Sequence, residues 1–253
     1  MTTVRDISDF LEKIAPKELK MEWDNVGLLC GSTDKEVHTV LVALDPFTHI
    51  CQEAVESNAD LLLTHHPLIF QPLTSVTDQT TVGKAVMTLI SHGIAAVNAH
   101  TNLDCADGGV NDTLAEQLEL KDISVIGSEN LLRMGTFESD LPAFLLHIKE
   151  KLGCDGLRYA DGGKPVCRVC VGGGACGSEL YEAVAAGCDT FVTADVKYNQ
   201  FAEAKELGIN LIDAGHFPTE NPVMYRLAAK LQTAFPEIRV VLSKKSADCV
   251  KFY

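Results

Sequence analysis

The sequence predicts an α/β fold made of two related β-α-β-α-β lobes, with mostly parallel sheets and a metal site between them. Three observations predict it. Strand-like apolar runs alternate with helical segments in both halves, the second half repeats the first, and His, Asp and Glu residues follow strand ends. Ligands of parallel α/β sheets bind beyond the carboxyl ends of strands. The expected lobes are residues 1–125 and 126–253.

The elements follow in order. The first helix spans Val4–Ile14, with Asp6 or Ser8 near its start, and Pro16 breaks the segment Ala15–Met21. Trp23-Asp24-Asn25-Val26-Gly27-Leu28 comes next and carries the only tryptophan. Val40–Leu44 is a β-branched strand and Ile50–Ser57 a helix. Asp60–Thr64 is too short for a helix and is flanked by turn residues, which makes it a buried strand. Val82–His92 is helical and Ala95–Ala99 extended. The segment Leu131–Leu157 reads as a junction with an extra helix. In the second half, strands at Arg168–Val171, Thr190–Thr193, Asn210–Ala214 and Arg239–Leu242 alternate with helices at Ser178–Ala186, Phe201–Leu207 and Pro222–Phe235. Asn221-Pro222 is a cap followed by a first-turn proline.

The repeat is visible residue by residue. A shift of 129 positions places Val42 on Val171, Ala54-Val55 on Ala183-Val184, Asp60 on Asp189 and Thr64 on Thr193. A shift of 115 places Gly93-Ile94 on Gly208-Ile209 and Ala99 on Ala214.

Four strand ends deliver potential ligands: His65-His66, His100 with Asp104 four residues on, Asp195, and His216 with Glu220 four residues on. A single histidine after a strand is ordinarily a loop or core residue, and His38, His49, His92 and His147 are read that way. Two adjacent imidazoles leaving a buried strand are costly unless a cation shares them. His-x-x-x-Asp and His-x-x-x-Glu also occupy corresponding corners of the repeat, so both can converge on one cleft. Imidazole with carboxylate suits Zn, Fe, Mn or Co. The set exceeds what one structural zinc uses, and a bridging carboxylate would let it hold two ions.

Composition excludes several classes. Lys and Arg number 21 against 35 Asp and Glu, a net charge of −14. Such a surface repels phosphate backbones and anionic membranes, so neither nucleic acid nor membrane is an expected partner. No apolar run approaches the roughly 20 residues of a membrane helix. The first ten residues lack a signal-peptide pattern. Nine scattered cysteines then read as reduced thiols in the cytoplasm.

Two further motifs compete with the metal reading. Cys167-x-x-Cys170 lies on a strand, where positions three apart face opposite ways, so it belongs to the core. Gly172-Gly173-Gly174-Ala175-Cys176-Gly177 satisfies G-x-G-x-x-G between a strand and a helix, and Asp195 ends the next strand. It reads either as a dinucleotide fingerprint or as a phosphate-holding turn beside the metals.

Taken in order, several motifs resemble one family over essentially the whole chain. They are Trp23–Leu28, Thr64-His65-His66-Pro67, His100-Thr101-Asn102-Leu103-Asp104, Gly172-Gly173-Gly174, Thr193-Ala194-Asp195-Val196-Lys197-Tyr198 and Gly215-His216-x-x-x-Glu220. The family is the dinuclear-metal-centre hexameric proteins, also labelled GTP cyclohydrolase 1 type 2 homologues or Nif-three-like proteins. The resemblance implies His65, His66, Asp104, His216 and Glu220 as ligands of two divalent transition-metal ions per chain (Zn, Fe or Mn), with Glu220 bridging. His100 would stand behind them or join as an occasional ligand. It also implies a toroidal homohexamer with metal sites facing an inner cavity. This chain departs from the family pattern at Asn199, usually His, and at Ala194, usually Gly. It has no room for the middle domain of longer members.

The function expected is a dinuclear metal-dependent hydrolase of a small nucleotide-like substrate, of GTP cyclohydrolase type by resemblance, with His100 or Asp195 relaying a proton. The alternatives are a metal-binding or metal-delivery assembly without turnover and, more weakly, a dinucleotide-dependent oxidoreductase built on Gly172 to Asp195.

Overall fold

A computed structural model describes residues Met1–Tyr253. In chain order it has α1 (Val4–Ile14), β1 (Gly27–Cys30), β2 (Thr39–Ala43), α2 (Thr48–Glu56), β3 (Leu61–Thr64), α3 (Thr81–Ser91), β4 (Ala95–Asn98) and α4 (Thr101–Cys105). Next come α5 (Val110–Gln117), β5 (Lys121–Ile126), β6 (Leu132–Ser139), α6 (Leu141–Leu152), β7 (Arg158–Ala160) and β8 (Val166–Val171). The chain continues through α7 (Leu180–Ala185), β9 (Thr190–Thr193), α8 (Tyr198–Leu207), β10 (Asn210–Asp213), α9 (His216–Glu220), α10 (Pro222–Ala234) and β11 (Arg239–Leu242). The repeat therefore exists as β2-α2-β3-α3-β4 and β8-α7-β9-α8-β10.

The chain forms two units, Met1–Ala106 with Met224–Ala247 and Asp107–Val223 with Asp248–Tyr253. This differs from the division expected at 125/126, for two physical reasons. Leu114, Leu118 and Leu120 bury against Val169, Val171 and Val192, which ties α5 to the second unit. The final strand does not close the second sheet. Arg239–Leu242 pairs in parallel with Thr39–Val42 of β2, so the chain returns to the first unit.

In the first unit the strand order is β1-β4-β3-β2-β11. All neighbours are parallel except β1, which runs antiparallel to β4. Strand β3 is buried along its whole length, which is why its sequence is a continuous apolar run rather than an alternation. Ile50, Cys51 and Ala54 of α2 and Ala85, Val86 and Leu89 of α3 pack with Leu41, Leu62 and Ala96 of the sheet. Helix α1 begins at a reciprocal cap, with Thr3 and Asp6 each satisfying the other's backbone N–H.

In the second unit the order is β5-β6-β8-β9-β10-β7. Only β8-β9 and β9-β10 pair in parallel; the other three pairings are antiparallel. This sheet is thus mixed rather than mostly parallel. The segment expected as a junction supplies the extra helix, α6, but also the strand β6. Arg133 on β6 is fully buried and makes a two-pronged contact with Asp112, 2.6 Å from Nε to Oδ1 and 3.3 Å from Nη2 to Oδ2.

All nine cysteines are free, with Cys167 exposed and Cys170 buried, as expected for successive faces of one strand. Burial, with Cys30 nearby, pushes the Cys51 thiol up to about 12, so it is an inert core group. No helix is long and apolar enough to cross a membrane.

Candidate metal centre

The first unit assembles its donors at the ends of β3 and β4. Ladder pairing continues past the strands, with Ala99 N–H donating to Thr64 C=O at 3.2 Å, so the two ends leave the sheet side by side. His66 is turned by Thr64, whose hydroxyl donates to the His66 carbonyl at 2.7 Å. The rings of His65, His66 and His100 gather with centroids 5.0 to 5.5 Å apart. One nitrogen from each lies within 4.8 Å of the others, a spacing that can hold a metal ion. Helix α4 then carries buried Asp104 back, Oδ1 standing 3.5 Å from His65 Nε2.

Each of these imidazoles has its Nδ1 held by an oxygen. His65 Nδ1 donates to the Ala99 carbonyl at 2.9 Å, His66 Nδ1 to Asp45 Oδ1 at 2.6 Å and His100 Nδ1 to Asp24 Oδ1 at 2.8 Å. A carbonyl or carboxylate accepts only, so it fixes the proton on Nδ1 and leaves the Nε2 lone pair as the donor. Metal-binding histidines show this arrangement, which sets the tautomer and raises the basicity of the ligand. Burial alone would raise the Asp24 carboxyl. Hydrogen bonds from His100 and Thr101 outweigh it and hold that group well below the usual carboxylate range. Asp24 and Asp45 were not among the residues expected from sequence. Asp45 follows β2 directly, so it sits at one more strand end of the same sheet.

In the second unit, His216 and Glu220 lie one turn apart on α9. Glu220 is buried, and its Oε2 stands 3.0 Å from His216 Nε2. His216 Nδ1 donates to Asp195 Oδ2 at 2.8 Å, completing the same pattern for a fourth histidine. Asp195 holds a left-handed backbone, φ 51°, right after β9. The structure thus gives Asp195 a holding contact on His216, and gives His100 a place among the donors of the first unit. Asn199 lies exposed on α8, its amide 3.4 Å from Glu203 of the same helix.

The glycine turn does something other than hold phosphate. Gly172 N–H donates to Val192 C=O, Gly173 N–H to Asn111 Oδ1 at 2.6 Å, and Gly174 N–H to Thr219 Oγ1 at 3.1 Å. Cys176 N–H is taken by the Gly174 carbonyl and by Thr193 Oγ1. These four amides are therefore engaged inside the protein rather than turned toward an anion. The glycines instead make room. A Cβ on Gly174 would lie 2.1 Å from Glu220 Oε1 and 3.3 Å from His216 Cε1. Close approach to the carboxylate is the reason for glycine there.

Imidazoles anchored at Nδ1, together with buried carboxylates, are a donor set of the kind that suits transition metals better than Mg or Ca. Fold and donors define an α/β protein of two units whose His and carboxylate groups could hold a metal ion. The chain belongs to the Duf34/NIF3 (NGG1p interacting factor 3) family, whose profile matches residues 2–248. It is 34% identical over 260 residues to a protein of Clostridium perfringens named GTP cyclohydrolase 1 type 2 homolog, with 98% of this chain and 99% of that one covered. Its fold matches the crystal structure of Staphylococcus aureus protein SA1388 with a TM-score of 0.93 and 28% identity, covering 100% of this chain and 99% of that one. A Bacillus cereus protein related to NIF3 shares the fold at a TM-score of 0.94 and 24% identity, covering 100% and 99% of the two chains.

Proposed function

We propose that the protein is a dinuclear metal-dependent hydrolase of a small nucleotide-like substrate. One observation carries the reading: four histidines at strand ends each have Nδ1 anchored on an oxygen, so four Nε2 donors are set. In this reading His65, His66, Asp104, His216 and Glu220 would hold two ions, with Glu220 the carboxylate the resemblance implies they would share. The ions would supply Lewis-acid chemistry, lowering the pKa of water and polarising the attacked centre. Asp45, Asp195 and the Ala99 carbonyl orient the imidazoles. His100 accepts and returns a proton at Nε2, and Asp24 stabilises its charged form through Nδ1. Asp195, already bound to His216, acts by holding rather than by relaying. The name carried by the relatives supports a GTP cyclohydrolase-type substrate. The nine free thiols support a reducing, cytoplasmic setting, and the net charge of −14 disfavours nucleic acid and membrane as partners. A homohexamer is part of the same proposal.

Incubating the Mn- or Zn-loaded protein with GTP and a panel of nucleotides and phosphoesters tests the reading. A product that disappears in Asp104→Asn is the expected result. An inert panel at full metal occupancy would replace the hydrolase by the metal-delivery assembly.

A further inference from the structure

Two large aromatic side chains stand in the open beside the histidine cluster. Trp23 is 61% exposed and Phe70 44% exposed. A single exposed aromatic needs no explanation. These two meet each other edge to face, with centroids 5.7 Å apart and planes at 70°. Each also lies 6.2 Å from the His100 ring, at 73° and 84°. The three rings form a corner, one wall of it made by a histidine of the cluster, that leaves much of Trp23 and part of Phe70 open.

The corner is rigidly held, unlike a chance exposure. Lys20 Nζ donates to the carbonyls of Met21 at 3.2 Å and Asp24 at 2.9 Å, on either side of Trp23. Met21 N–H donates to Thr101 Oγ1 at 2.9 Å, and the Asp24 carboxylate takes the Thr101 N–H at 3.0 Å. The amide of Asn25 donates to the Ile69 carbonyl at 2.6 Å, locking the Phe70 loop to the Trp23 segment. Hydrogen bonds thus fix the two chain segments that carry Trp23 and Phe70. Preorganised aromatic faces bind planar π-systems without a further ordering cost.

We propose that Trp23 and Phe70 form a stacking site for a planar heteroaromatic ring and so select the base or heterocycle of the substrate presented to His100. The proposal rests on the hydrolase reading only for the substrate's small, nucleotide-like character. A heteroaromatic ring is the ligand favoured, since every base offers a π-face that stacks on an aromatic side chain.

Trp23 is the only tryptophan, so indole emission reports on this corner alone. The test is a fluorescence titration of the full chain, stripped of metal by chelation, with guanosine monophosphate and with ribose 5-phosphate. Saturable quenching by the nucleotide and none by the sugar phosphate is expected. Phe70→Ala should weaken nucleotide binding about tenfold or more, and Phe70→Tyr should keep it. Equal binding of the two ligands, no nucleotide binding, or an unchanged affinity in Phe70→Ala would overturn the proposal. So would emission that depends on protein concentration and ignores ligand, because the rings would then be covered by another copy of the chain. Working without metal separates the two readings. Nucleotide stacking on a protein that never takes up metal sinks the hydrolase alone. Metal uptake and turnover without stacking sinks the ring site alone.

Discussion

Asp60 and Asp189 make the same contact, each in its own unit. Asp60 Oδ2 accepts the backbone N–H groups of His38 and Thr39 at 2.8 and 3.0 Å, and the Asp189 carboxylate those of Cys167 and Arg168 at 3.0 and 2.8 Å. Every member of the second set lies 129 positions after its counterpart. The turn before each aspartate corresponds too. Asn58, φ 52°, and Gly187, φ 76°, both take the left-handed conformation. In each unit the carboxylate pins the start of one parallel strand to the start of the next.

Removing that pin should cost stability in a pH-dependent way. Burial raises the Asp60 carboxyl, but the two N–H groups and Lys35 outweigh it and hold it below its usual value. Its contribution is therefore complete above the unfolded value of about 3.9 and is lost as pH falls through the lower folded value. Asp60→Asn should be less stable at pH 7 by about 1–3 kcal/mol. The gap to the wild type should close on acidification. Urea melts at several pH values check this, and a gap that stays constant down to acid pH would contradict it.

The oxygens behind the histidines should govern metal affinity. Asp45→Ala and Asp195→Ala each free one Nδ1 while leaving the ligand in place. Metal affinity should fall about 10- to 100-fold, with thermal stability of the metal-free protein little changed. Competition with a chromophoric chelator measures it, and unchanged affinity would show that the Nδ1 partners are incidental.

Gly174 and Gly93 separate backbone strain from crowding. Both have positive φ, 63° and 67°, but only a Cβ at Gly174 meets a donor, whereas nothing lies within 4 Å at Gly93. Alanine at either should cost about 1–2 kcal/mol of backbone strain. Only Gly174→Ala should also impair metal uptake. Equal metal binding by both variants would mean that Glu220 is free to move aside.

Much of this was legible in the sequence because it is local. The parallel strands are short apolar runs between turn residues, and the candidate donors lie just beyond their ends, so His65, His66, His100, Asp104, His216 and Glu220 could be picked out by position. What escaped depends on distant contacts. The partner of Arg239–Leu242 is set by where the chain returns, which no periodicity records. Strand β6 carries a buried arginine whose partner, Asp112, is 21 residues away in sequence, so its pattern does not read as a strand. Asp24 and Asp45 act on histidines 76 and 21 residues away. The amide partners of the glycine turn, Asn111, Thr193 and Thr219, lie elsewhere along the chain, where no local pattern announces them.

The proposed hexamer has its own test. A chain of net charge −14 repels its copies, so association requires charge-poor interfaces. Light scattering coupled to size exclusion should give six times the 27.4 kDa chain mass, independent of moderate salt. A concentration-independent monomer would remove the hexamer from the account and leave the donor set intact.

The central claim is that the strand-end histidines and carboxylates bind a pair of transition metals. Elemental analysis of the mildly purified protein, before and after reconstitution, tests it most directly. The account predicts about two ions of Zn, Fe, Mn, Ni or Co per chain, with a larger loss in Glu220→Ala than in His100→Ala because a bridge serves both ions. Equal losses in the two variants would refute the bridge, and a protein that carries none of these metals and takes up none on reconstitution would contradict the claim itself.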